Sequence, residues 1–240
     1  MLRRSSVFKN VLPVAAVAAT MAWAGAANAS IILDANGNVE FGIQKKAATD
    51  DFGNLDDTKF VSNIYVRFSE LDDRLLSIGF SNMFTKNGSN FFQHPLGGNT
   101  APNAALFDIP GFMAVRFDTF VTIGVKSNDG SDATATDFDY LDIGNKISGG
   151  WFADPDSGQG DASNGILKED GNYWVLVAQL TIVNKPDNGV AGSMIVFWQE
   201  APGQAQQQIF GSFDNQVPSP GALALLGLAG LVGAHRRRRR

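Results

Sequence analysis

Tyr173-Trp174-Val175-Leu176-Val177-Ala178-Gln179-Leu180-Thr181-Ile182-Val183 runs eleven residues without a glycine, a proline or a charge. Its β-branched and aromatic side chains favour an extended backbone, and the stretch is too short and too branched for a typical helix. Period-2 spacing places Trp174, Leu176, Ala178, Leu180 and Ile182 on one face, with Gln179 and Thr181 opposite. Phe60 to Phe68 repeats the pattern: Phe60, Ile64, Val66 and Phe68 share a face, with Asn63 and Arg67 on the other. Met113, Val115, Phe117, Val121, Ile123 and Val125 form a third alternating set, and Met194 to Trp198 adds a compact apolar run. Asn36-Gly37, between Ile31-Ile32-Leu33 and Val39 to Ile43, is a strong local signal for a two-residue hairpin turn. Clusters of Gly, Asn, Asp and Ser separate the runs, and no internal segment sustains a 3.6-residue period. These features predict an all-β fold, an antiparallel β-sandwich for which a jelly-roll path is one possible topology.

Both ends of the chain differ from this pattern. Arg3, Arg4 and Lys9 precede an apolar core from Val11 to Ala24, and Ala27-Asn28-Ala29 is a small-x-small cleavage site before Ser30. That combination predicts a secretory signal peptide over residues 1–29. At the other end, Val217-Pro218-Ser219-Pro220 leads into Gly221 to Ala234, then His235 and Arg236, Arg237, Arg238, Arg239 and Arg240. The prolines keep the linker extended and open to a peptidase. The apolar run predicts a short membrane helix, although a bilayer core of about 30 Å needs roughly 20 residues. The arginines resist entering lipid and would hold this end on the cytoplasmic side. Three segments follow: a leader over 1–29, a sandwich domain over 30–216, and a sorting tail over 217–240.

The tail resembles the PEP-CTERM sorting signal, with its Pro-Glu-Pro-like tripeptide, short apolar helix and terminal arginine cluster. Here Ser219 stands in the glutamate position. The resemblance implies an exported protein of an exopolysaccharide-producing bacterium, held briefly in the membrane and processed by an exosortase-like membrane peptidase after passage through the secretion machinery. A second pattern, Asp118 to Gly124 with Gly150-Trp151-Phe152 and Val175 to Thr181, resembles exported PEP-CTERM proteins of planctomycete-like bacteria and carries no activity with it. The implied location is the cell envelope or the extracellular matrix.

Removing both signals changes the charge. The central domain has 11 basic against 24 acidic residues, a net of −13 rather than the −5 of the whole chain. Such a surface repels nucleic acid and anionic lipid. The chain has no cysteine, so an exported domain of this size depends on its core rather than on disulfides.

The residues that carry chemistry are few. With His235 in the tail, His94 is the one histidine left for the domain. It has no thiol partner, and a His-based zinc site lacks ligands. We therefore expect no enzyme activity and no catalytic residue. Carboxylates are plentiful enough that a glycosidase pair cannot be picked from sequence. Oxygen-ligand calcium sites remain open on Asp129, Asp132, Asp137 and Asp139, or on Asp154, Asp156 and Asp161. Trp151-Phe152, and Phe91-Phe92 in the long stretch Asn82 to Asn103, offer aromatic surface beside polar loops, the pairing that sugar recognition requires. The expected role is a non-enzymatic surface or matrix protein associated with exopolysaccharide. The alternatives are a lectin-like carbohydrate-binding module and a glycoside hydrolase.

Overall fold

The computed structural model describes residues 31–32, 39–130, 132–137, 144–167, 171–183 and 189–216. Eleven strands follow one another: β1 (Ile31–Ile32), β2 (Val39–Thr49), β3 (Leu55–Phe68), β4 (Arg74–Thr85), β5 (Phe120–Val121), β6 (Thr134–Thr136), β7 (Lys146–Ala153), β8 (Ile166–Leu167), β9 (Tyr173–Val183), β10 (Gly189–Gln199) and β11 (Gln207–Gln216). They form two sheets in which every pair is antiparallel. One has the order β1-β2-β3-β9-β5, with β8 also on β9; the other runs β11-β10-β4-β7-β6. The expected signal peptide and sorting tail lie outside the described residues, as does the expected Asn36-Gly37 turn. The strands on either side of that turn do pair antiparallel, but Ile31 with Phe41 and Ile32 with Glu40 is one residue off the register that a two-residue Asn36-Gly37 turn would set. Among the described residues no helix is long and apolar enough to cross a membrane.

The two sheets enclose one core. Phe41, Ile43, Ile64, Val66, Phe68, Leu180 and Ile182 come from the first, and Leu75, Ile78, Met83, Trp151, Met194, Val196, Trp198 and Phe213 from the second. Aromatic edges lock the sheets together: Phe41 meets Phe213 at 6.0 Å between centroids, and Phe68 meets Trp198 at 6.0 Å. Burial of such side chains supplies the main stabilisation in a domain without disulfides.

Two expectations from periodicity are corrected. In β9 the alternation changes phase, because Ile64 pairs with Ala178 while Tyr65 pairs with Leu176, leaving Val177 as a bulge. Val175 and Val177 therefore enter the core, and Trp174 and Leu176 turn to the outer side with Tyr65. The second correction concerns residues 113–117, which coil into a 3-10 helix; only Phe120–Val121 of that stretch pairs as a strand.

These departures share a cause. The outer face of the first sheet is covered by the chain that follows β4, so it needs apolar side chains of its own. Tyr65, Trp174 and Leu176 pack with Ala101 and Phe120, while Val61 packs with Ala48 and Phe117. Trp174 stacks edge-on to Tyr65 at 5.4 Å and lies under the Arg67 guanidinium at 5.1 Å. Gln179, also on this side, donates to the carbonyls of Arg116 and Asp118 at 2.8 and 2.9 Å and fastens the cover to the sheet.

Candidate functional site

The cover is organised around Asp118, which is fully buried. Its Oδ1 accepts the His94 N–H at 2.7 Å and its Oδ2 accepts the Gly98 N–H at 3.2 Å. The turn from His94 to Gly98 thus wraps one carboxylate with backbone donors. Gly97 is required there, since a Cβ at this position would stand 1.7 Å from the Asp118 Oδ2.

This turn fixes His94 against the β2–β3 hairpin. The Leu96 N–H donates to Nδ1 at 3.1 Å, which leaves Nε2 as the proton-bearing nitrogen of the neutral ring. Nε2 faces Asp51 Oδ1 at 3.4 Å. Asp51 is held in turn by the segment beyond the cover's first turn: its Oδ1 accepts the Ala114 N–H at 3.1 Å and its carbonyl accepts the Gly111 N–H at 2.8 Å. Beside it, Asp50 accepts the N–H groups of Phe52 and Asn54, each at 2.9 Å. The Asn54 side chain and these backbone donors hold the Asp50 carboxyl below its ordinary pKa.

Three segments distant in sequence therefore meet at a cleft of about 480 Å³. Asp50, Asp51, Lys59 and His94 supply its polar groups, and Phe92, Pro95, Leu96 and Phe112 its apolar walls. Phe92 is anchored by backbone bonds to Thr181 and Thr119. Its ring carries the Lys59 ammonium at 4.3 Å on one side and the His94 edge at 6.5 Å. Lys59 also pairs with Asp56, which fixes its head group over the ring. Leu96 and Phe112 stay 48% and 39% exposed, so the apolar wall opens to solvent rather than to the core. The volume and the mix of flat apolar faces with a few fixed polar groups match a small-ligand site. Among the described residues, no Ser, Thr, Cys or Tyr lines it.

The residues singled out from sequence go elsewhere, with two exceptions, Phe92 and His94. Trp151 is a core residue, 1% exposed, and its indole N–H donates to the Thr122 carbonyl at 2.9 Å. Phe152 points to the opposite side of the sheet and is 54% exposed, so the pair does not present a shared surface. Phe91 is buried and bridges to Ile182, whereas Phe92 is a wall of the cleft. Asp132 Oδ1 accepts the Thr134 N–H at 2.9 Å and the Gln159 amide at 3.1 Å. Asp137 Oδ1 accepts the Gly150 N–H, Asp129 is exposed, and Asp139 lies outside the described residues. In the other loop, Asp154 caps a 3-10 turn through the Asp156 N–H, and Asp161 pairs with Arg74. Among the described residues no three His, Cys, Asp or Glu side chains stand together as a metal cluster. Asp50, Asp51, Lys59 and Phe112 escaped the sequence reading; the one local mark is the turn signature Asp50-Asp51-Phe52-Gly53-Asn54.

No protein-family model, no curated protein and no solved structure matches the chain.

Proposed function

We propose that the protein is an exported component of the cell surface or extracellular matrix that binds polysaccharide without cleaving it. The observation that carries this reading is the cleft. Phe92 and Phe112 offer stacking faces for the apolar side of a sugar ring. Asp50, Asp51 and His94 offer acceptors and a donor for its hydroxyls, already fixed by the backbone around them. Groups immobilised before binding lose little entropy when the ligand arrives.

Export and retention rest on the ends of the chain. In this reading a signal helix over 1–29 is removed after Ala29, and the tail over 217–240 inserts as a short membrane helix until an exosortase-like peptidase releases the domain near Pro218-Ser219-Pro220. Deletion of residues 221–240 then sends the domain into the medium; equal retention of the truncated protein sinks the sorting role.

Binding and cleavage are separated in one tube. Purified domain, residues 30–216, is mixed with the source organism's exopolysaccharide, and co-sedimentation and reducing-end release are followed together. Pelleting without release is expected. Release of sugar ends would establish a glycoside hydrolase instead. Repeating the assay with calcium and with chelator tests the aspartate loops: a calcium-dependent interaction disappears in chelator, and a cleft-only interaction does not.

A further inference from the structure

The second sheet has an outer face that the cleft does not use. Phe80, Phe84, Phe152 and Phe210 on it are between 40% and 65% exposed. Strand register groups them in rows. Phe210, Ile195 and Phe80 lie side by side across β11, β10 and β4, and Phe197, Ser77 and Phe152 form the next row across β10, β4 and β7. Gly79 makes the surface flat, because the Phe197 ring lies where its Cβ would stand, 2.1 Å away. A neutral row, Ser212, Ser193, Asn82 and Ser148, precedes these two. The Phe84 end holds Lys146 and the Lys86–Asp214 pair. An apolar surface of this extent on a domain of net charge −13 marks a contact site.

We propose that, whenever it is not inserted in the membrane, the chain's own apolar tail segment, Gly221 to Ala234, covers this face. Its position in the chain is the first reason. β11 is the edge strand of this sheet, and the chain leaves it at Gln216, opposite Gly189 at the Phe84 end. The linker Val217 to Pro220 reaches at most about 14 Å, enough to turn back and rise the roughly 10 Å that separates packed layers.

Length is the second reason. A helix over the fourteen residues 221–234 is about 21 Å long. The face from Asp214 to Gln208 spans six residues of strand, roughly 20 Å.

Charge is the third reason. A segment folded back along β11 delivers Arg236 to Arg240 to the far end of the sheet, where Gln199 pairs with Arg74. Glu200 follows the first of these residues, and Glu70, Asp72 and Asp73 lead into the second. Arg74 is already committed to Asp161. Asp73 is buried, so five arginines would thus meet three exposed carboxylates, Glu70, Asp72 and Glu200.

The chain's lack of cysteine makes the test clean. Protein spanning residues 30–240 is prepared with Ser193→Cys and Leu225→Cys, and a control carries Gln44→Cys, on the outer side of the other sheet, with the same Leu225→Cys. Mild oxidation should close a disulfide within the monomer in the first protein. The control should give only the background level. Adding Phe80→Ser and Phe210→Ser should reduce the first to that level with the circular dichroism spectrum unchanged, since both side chains point outward. Equal crosslinking from the two faces, or none from Ser193→Cys, overturns the proposal. A disulfide joining two chains through Ser193→Cys alone also overturns it, by making a second copy the occupant. Polysaccharide binding at the cleft can fail without affecting this result.

Discussion

Two aspartates show how differently a buried carboxylate behaves when its donors are in place. Asp118 is satisfied by backbone N–H groups, and Asp118→Asn turns an amide NH₂ toward one of them. We expect a loss of about 2 kcal/mol, read from the urea midpoint, together with a loosened His94 turn. A variant as stable as the parent would contradict this role. Asp73, 3% exposed, has one long bond from the Glu70 N–H at 3.3 Å. Burial, with the neighbouring Glu70, Glu200 and Asp72, pushes its pKa up to about 6. The folded protein therefore holds this proton at pH values where the unfolded chain has released it. The stabilising contribution is complete below about pH 4, the unfolded value, and is lost as pH rises through about 6. Asp73→Asn removes the titration, so its Tm advantage over the parent should grow between pH 4 and 6 and stay level above. A constant difference across that window would show that Asp73 does not titrate there.

At the scale of elements, the legible strands were those with one clear polar face. Phe60 to Phe68 carries Asn63 and Arg67 opposite its apolar set, and its phase was read correctly. β9 was misread because Trp174, Val175, Leu176 and Val177 are apolar on both sides, and a continuous apolar run has no phase. The bulge at Val177 can be tested directly. Gly42 and Tyr65 are paired on the outer side, and a Cβ at Gly42 would stand 2.4 Å from the Trp174 ring. Gly42→Ala should cost about 1–3 kcal/mol as the ring is forced aside. With Trp174 in the core, as simple alternation had it, the same substitution would be harmless. Met113 to Phe117 misled for a local reason. Arg116 reaches back to the Met113 and Phe107 carbonyls, and the N–H groups of Val115 and Asp118 bond three residues back, so the backbone coils although the side chains alternate.

For the whole molecule, the all-β class and the two-sheet core were within reach of periodicity, but the cleft was not. Its walls come from residues 50–51, 92–96 and 111–114, brought together by a cover whose path depends on the buried carboxylate of Asp118. Composition signalled aromatic and acidic loops without telling which of them meet. Trp151 was a plausible sugar platform by sequence and is a core residue by structure, while Phe112 drew no attention and is exposed at the cleft. The measurement that bears most directly on the account is co-sedimentation of the 30–216 domain with exopolysaccharide, parent beside Phe112→Ala and Asp51→Asn. The parent should pellet with the polymer. Each variant should bind roughly tenfold more weakly at unchanged Tm, the scale of one lost stacking face or charged hydrogen bond. Binding that is absent in the parent, or equal in all three proteins, would contradict a polysaccharide site in this cleft.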